Sequence, residues 1–179
     1  MKSLAQIYEK YSLVENGISD KGTSHSYIEE YERLLAPLRA RQPLNVLEIG
    51  LCRGGSLRMW HEYFEISHIR GVDITDSPDD FPDLKALIAE QIPRMAIHIL
   101  DARKEVHVDF AFSEKRFDVI IEDASHKLED SIAIYNNFIK RLNPGGLYFI
   151  EDVENLEQWR PELLKLFGDR EFDVMDLRT

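Results

Sequence analysis

The chain has 179 residues, the size of a single domain, and that length buries a sizeable core without disulfides or structural metals. Its 33 acidic side chains against 22 basic ones leave a net charge of -11, which argues against a nucleic-acid partner and favours small molecules. No apolar stretch approaches the ~20 residues that span a bilayer, and the N-terminal MKSLAQIYEKYSL lacks the apolar core of a signal peptide. The single cysteine, Cys52, makes neither an internal disulfide nor a thiolate metal cluster. The expectation is a cytoplasmic protein that contacts no membrane and no nucleic acid.

In chain order, Ile28, Tyr31, Leu35 and Leu38 form a helical stripe, with Ser26 and Glu29 at capping-box spacing and Pro37 ending or bending the helix. Residues 1–40 read as an N-terminal helical arm and 41–179 as the main domain. Strands are expected at Asn45 to Gly50, His68 to Ile74, Met95 to Leu100, Phe117 to Glu122, Leu147 to Asp152 and Phe172 to Leu177. Longer segments of helical periodicity separate them. This alternation predicts an α/β fold, a mostly parallel sheet with helices on both faces. The stretch Ile74 to Asp83 reads as a loop because prolines and aspartates favour turns. Leu128, Ile132, Tyr135, Phe138, Ile139 and Leu142 trace one buried helix face, expected to stop at Asn143-Pro144-Gly145-Gly146. A last helix is expected over Leu156 to Phe167.

In LEIGLCRGGSLRMW a buried strand runs into Gly50, then Gly54 and Gly55, and Ser56 begins an amphipathic helix. Glycines allow a sharp turn and close approach to backbone N–H groups, and the helix start offers unsatisfied donors to a phosphate or a carboxylate. The GxGxxG dinucleotide fingerprint is absent, since three residues separate Gly50 from Gly54 and the acidic Glu48 precedes the turn. Leu57, Met59 and Trp60 read as core packing, and Cys52 as a small packing residue.

Asp73 ends the second strand about 23 residues after Gly50, close to the spacing of a ribose-binding acid. Asp101 follows the third strand. The fourth strand ends in IIEDASH and the fifth in YFIEDVE, so Asp123, His126, Glu151 and Asp152 gather at the carboxyl edge, where open α/β sheets bind ligands. Oxygen donors of this kind suit Mg²⁺, whereas zinc would recruit more His or Cys. A glycine turn, a strand-end Asp and a helix-start His each also occur as purely structural features; their order is what points to a site.

The glycine turn with its acidic strand end resembles the first motif of class I methyltransferases, which cradles the amino-acid part of S-adenosylmethionine. Taken together, DKGTSHSYIEEYE, LEIGLCRGGSLRMW, GVDI, EDASH and GGLYFIED resemble the metal-dependent sugar O-methyltransferases of antibiotic biosynthesis, the mycinamicin and elloramycin type, over roughly residues 20 to 152. That resemblance implies a Rossmann-like class I methyltransferase fold, S-adenosylmethionine and Mg²⁺ as cofactors, and a small hydroxylated acceptor such as a sugar. It implies cofactor contacts from Thr23, Glu48, Gly50, Ser56, Asp73 and Asp101, with Asp101 near the adenine amino group. Asp123, Glu151 and Asp152 would hold the metal, and His126 would be the catalytic base.

The full class I sheet has seven strands, the last two a hairpin. Here only FDVMDL follows the last expected helix, so the C-terminal hairpin is expected to be incomplete, or the final strand to pair directly with the fifth, leaving an edge open to self-association in a homo-oligomer. Two other functions stand beside the O-methyltransferase reading. One is a non-catalytic domain that binds adenosylmethionine or a partner. The other is a non-haem iron oxygenase, which wants two His and one carboxylate where only His126 accompanies the acids.

Overall fold

The computed structural model describes residues 2–12, 21, 27–75 and 82–175. Five strands form one sheet: β1 (Asn45–Ile49), β2 (His68–Asp73), β3 (Met95–Ile99), β4 (Phe117–Glu122) and β5 (Leu142–Ile150). Their order is β3-β2-β1-β4-β5 and every pairing is parallel. Around the sheet lie α1 (Leu4–Ser12), α2 (Tyr27–Arg39), α3 (Gly55–Tyr63), α4 (Pro82–Ala89), α5 (Glu105–Phe112), α6 (Leu128–Phe138) and α7 (Leu156–Phe167).

The period-2 alternation of the strands sorts the core into two layers. Val46 and Val119 face a cluster containing Leu4 and Ile7 of α1, Tyr31 and Leu35 of α2, Trp60 and Tyr63 of α3, and Leu84 of α4. Leu47, Ile49 and Ile120 face the opposite cluster, with Phe112 of α5 and Ile134 and Phe138 of α6. The helical arm therefore shares its core with the first layer, and the stripe Ile28, Tyr31, Leu35, Leu38 is buried as its spacing predicts.

The chain reverses its direction of travel across the sheet between β1 and β4, which opens a crevice beyond their carboxyl ends. Asp123 N–H donates to Ile49 O (2.8 Å) across that seam, and on the other side of β1 Gly50 N–H donates to Val72 O (2.9 Å) of β2. Gly50 has φ +88°, and a Cβ built on it would lie 2.0 Å from the Asp123 carbonyl oxygen. Only glycine lets the loop after β1 lie against the end of β4.

The expected elements differ from those observed in two places. The α6 helix ends at Phe138, followed by a 3-10 turn at Ile139–Arg141, and Asn143-Pro144-Gly145-Gly146 lies inside β5. The buried Arg141 guanidinium stops the helix early by donating to Phe112 O (3.1 Å) and Asn137 O (2.5 Å). The proline and glycines are accommodated at a register shift between Phe117 and Val119. The second difference is at the C-terminal end, where Phe172 to Met175 form no strand and the remainder of the expected FDVMDL strand lies outside the described residues. Phe172 instead stacks on Phe167 (4.9 Å between centroids), which stacks on Tyr135 (5.2 Å), so burial against α6 and α7 replaces pairing with β5. The Ile74 to Asp83 loop lies largely outside the described residues, and Ser26 of the capping box lies there entirely.

Gly50→Ala is expected to destabilise the protein by more than about 3 kcal/mol in urea denaturation, because strain and a backbone clash combine. Gly145→Ala serves as the control: Gly145 has φ +74° with nothing within 4 Å of a built Cβ, so only the left-handed backbone cost of about 1–2 kcal/mol remains. Equal losses in the two variants would contradict the close-approach argument.

Candidate active site

A cavity of about 700 Å³ opens at the carboxyl edge of β1, β2, β3 and β4, large enough for a nucleoside-sized ligand. Gly50, Ser56, Asp73, Asp101, Asp123, His126 and Asp152 all line it. The glycine loop forms its floor. Gly54, at φ +78°, precedes α3 and supplies no side-chain cap to its first turn, leaving the helix start to a ligand. Asp73 Oδ2 accepts from the Leu51 N–H (2.8 Å) and Oδ1 from the Thr75 N–H (3.2 Å), so the carboxylate at the end of β2 also fixes the loop after β1. Asp101 is held by the Arg103 side chain and backbone. Cys52, expected to pack, is exposed on this loop at φ +48°. Leu57, Met59 and Trp60 are buried core, as their helical position predicts.

Two predicted residues sit beneath the cavity rather than on its wall. Glu48 is fully buried and accepts from the Ser56 hydroxyl (2.8 Å). Burial raises its pKa to about 7, against the opposing pull of Lys21. Glu151 is also buried, and both of its carboxylate oxygens are engaged, one by Lys21 Nζ (2.7 Å) and one by the Tyr31 hydroxyl. Thr23 lies outside the described residues.

At the tips of β4 and β5, Asp123, His126 and Asp152 each offer a ligand atom, and these atoms lie within 4.8 Å of one another. His126 Nε2 is 3.2 Å from Asp123 Oδ1 and 3.7 Å from Asp152 Oδ2. Its hydrogen bond to Asp123 raises the imidazole pKa, with the neighbouring carboxylates adding to the effect against burial. Burial alone would raise the Asp123 pKa, yet His126 and Lys21 outweigh it and hold the carboxyl below its usual range. Asp123 and Asp152 remain 20% and 18% exposed to the cavity, so a hard cation reaches both. The two carboxylates on the wall are hard oxygen donors of the kind that fits Mg²⁺, and Glu151 would add a further oxygen only by giving up its Lys21 contact.

Three residues outside the expected site, Lys21, Tyr27 and the stripe residue Tyr31, organise this end. Lys21 Nζ bridges Asp123 Oδ2 and Glu151 Oε2, each at 2.7 Å, and lies 3.8 Å from Glu48 Oε1. Burial disfavours its charge, but Glu151, Asp123 and Glu48 together hold its pKa well above the ordinary lysine value. Tyr27 and Tyr31, one turn apart on α2, bring their hydroxyls to the consecutive acids Asp152 and Glu151. The available signal was a lysine in DKGTSH just ahead of tyrosines at i, i+4 spacing, a pattern that also reads as an ordinary core stripe.

Lys21→Met leaves three inward carboxylates without their ammonium and is expected to cost about 3–5 kcal/mol at neutral pH, part of which returns on acidification. Loss of under ~1 kcal/mol would show the carboxylates are held by other means. For Glu48 the folded-state pKa near 7 exceeds the free value of 4.5, so the folded protein binds the extra proton. Its contribution to stability is present below pH 4.5 and is lost as pH rises through about 7. Wild-type stability measured relative to Glu48→Gln should therefore fall between about pH 5 and pH 7, and a flat difference would contradict the raised pKa.

Comparison with known proteins places this geometry. No protein-family model matches the chain. The 8-demethyl-8-alpha-L-rhamnosyl tetracenomycin-C 2'-O-methyltransferase of Streptomyces olivaceus is 35% identical over 144 residues, covering 76% of this chain and 35% of that protein. Demethylmacrocin O-methyltransferase of Streptomyces fradiae is 31% identical over 140 residues, covering 74% and 33%. The structure of MycE methyltransferase from the mycinamycin biosynthetic pathway, in complex with Mg, SAH and mycinamycin VI, matches with a TM-score of 0.67 at 28% identity. That match covers 84% of this chain and 37% of MycE. The chain thus spans about a third of the length of the curated relatives it matches. It resembles the sugar O-methyltransferases in sequence and has the Rossmann-like class I methyltransferase fold, both as its motifs imply.

Proposed function

We propose that this chain transfers a methyl group from S-adenosylmethionine to a hydroxyl of a small molecule, of the sugar class, with Mg²⁺ and His126 as general base. The observation that carries this reading is the meeting of the glycine loop, Asp73 and Asp101 with Asp123, His126 and Asp152 around one cavity. The relatives named above are sugar O-methyltransferases, and MycE was solved with Mg and SAH, which supports the same assignment here. We place the activity in the cytoplasm; no helix among the described residues is long and apolar enough to cross a membrane.

In this reading the methionine part of the cofactor lies on the loop from Gly50 to Ser56, with its carboxylate toward the start of α3. Asp73 accepts the ribose hydroxyls and Asp101 the adenine amino group. Glu48 acts from below, through Ser56. Thr23 completes the cofactor contacts from the arm. Asp123 and Asp152 would hold the metal, and Glu151 would join them by giving up its contact with Lys21. A bound Mg²⁺ supplies Lewis acidity that lowers the pKa of the acceptor hydroxyl.

His126 then takes the hydroxyl proton. The new O–CH₃ bond forms as the methyl leaves the sulfonium, and the electrons of the broken bond remain on sulfur. A cation held by Asp123 and Asp152 would offset the carboxylate charges that raise the His126 pKa and so favour the neutral imidazole that serves as base.

Calorimetry with S-adenosylhomocysteine, with and without Mg²⁺, tests cofactor and metal separately. His126→Ala should keep cofactor affinity while losing about 10²- to 10⁴-fold in methyl-transfer rate to a sugar acceptor. Asp152→Asn should lose the thermal stabilisation that Mg²⁺ gives the wild type. Absence of cofactor binding by the wild type would refute the assignment, and full turnover by His126→Ala would remove the base.

A further inference from the structure

At the end of the cavity assigned to the purine, Asp101 belongs to an ion-pair strap whose arginine has no part in the proposed chemistry. Asp101, in the turn after β3, receives three N–H donors from Arg103: backbone N (3.1 Å) and Nε (2.8 Å) on Oδ1, and Nη2 (3.1 Å) on Oδ2. The same guanidinium reaches across to α6, with Nη1 at 3.3 and 3.4 Å from the two Asp130 oxygens. Asp130 Oδ2 in turn accepts from the Ser125 hydroxyl (2.6 Å) in the turn after β4. Asp101, Arg103, Ser125 and Asp130 all line the cavity. One guanidinium thus ties together the turns after β3 and β4 and the first turn of α6.

Two features separate this from an ordinary surface ion pair. The contact to Asp101 is a two-point fork, which fixes the plane of the carboxylate as well as its charge. Both acids are largely covered, at 11% and 15% side-chain exposure, while Arg103 spans the opening at 42%. Each carboxylate oxygen accepts about two hydrogen bonds. Oδ1 is filled by two N–H groups, whereas Oδ2 receives one, with the Lys104 ammonium 3.8 Å away.

We propose that Arg103 is a positioning residue for cofactor selection: it holds the Asp101 carboxylate ionised and oriented, with one Oδ2 lone pair left for the amino group of a 6-amino purine. A 6-oxo purine presents an acceptor to that lone pair and is rejected, because two acceptors cannot pair and both lose water. Asp130 and Ser125 keep the guanidinium from swinging away. The inference rests on the adenosyl reading of the cavity and adds the residue that enforces it.

The test is calorimetry on the full chain without metal, using S-adenosylhomocysteine and its 6-oxo analogue S-inosylhomocysteine. The wild type should prefer the adenosyl compound by about tenfold or more, the worth of one hydrogen bond to a charged acceptor. Arg103→Ala should lose about tenfold in adenosyl affinity and most of the preference, and Arg103→Lys, which has no fork, should recover only part. In an Asp101→Asn background, Arg103→Ala should change little, since both act on one contact. Unchanged melting temperatures keep these outcomes separate from misfolding. An Arg103→Ala variant with affinity and purine preference within about twofold of wild type overturns the inference while the cofactor reading stands. A wild-type chain that binds neither compound removes the cofactor reading, and the inference with it.

Discussion

Lys21 Nζ lies between Asp123 and Glu151, each at 2.7 Å, with Glu48 at 3.8 Å, and the lysine side chain is 2% exposed. These acids come from β1 and from the ends of β4 and β5, which converge at the crevice. Convergence of like charge in a poorly hydrated place costs several kcal/mol per ion unless a counter-charge is built in. Lys21 is that counter-charge, and the Tyr27 and Tyr31 hydroxyls extend the pairing to Asp152 and Glu151. The position of α2 against the sheet is set as much by these polar contacts as by the Tyr31–Trp60 and Tyr31–Phe149 ring contacts at 5.1 and 4.9 Å.

The second constraint is steric and acts at the same place. The backbone of β4 can end against the β1 loop only because Gly50 has no side chain, and the approach brings Asp123 to the mouth of the cavity. Binding floor and reactive acids are thus joined through one glycine. The glycine loop and the acidic cluster are held at fixed separation by the sheet, which would suit the proposed reaction, in which a methyl donor and an oxygen acceptor must line up.

Most of the fold was legible because its signals are local. Buried parallel strands read as apolar runs, and β1 to β4 begin where those runs begin. The stretch Asn143 to Gly146 misled because its stop signal is real, but the helix had already been ended by Arg141, a long-range contact that periodicity does not carry. The C-terminal FDVMDL has strand composition, yet Phe172 lies half-buried in ring contact with Phe167 and joins no strand. Within the site, strand-end acids were legible because topology brings carboxyl ends together. The distinction between Asp152 on the wall and Glu151 beneath it was not, since both lie past the end of β5, where Asp152 takes a left-handed backbone (φ +53°) that strand alternation does not forecast. Lys21 and Arg103 were hidden for a related reason, as their meaning lies in partners up to 130 residues away.

The two ends of the cavity handle their acids differently. Around Asp101 the acids are partnered at the surface: Asp101 and Asp130 share the Arg103 guanidinium, and Asp73 accepts from backbone N–H groups. At the reacting end Glu48, Asp123, Glu151 and Asp152 face one ammonium and one imidazole. The metal-free protein sheds part of that excess through protons, which is why burial drives Glu48 and Glu151 upward and His126 is drawn toward its charged form. In the proposed function a divalent cation would take up the charge of the exposed acids in place of protons and leave the imidazole able to accept one. The surplus of acid over base around Lys21 is what would favour such an ion, whereas at Asp101 the Arg103 guanidinium already occupies that place.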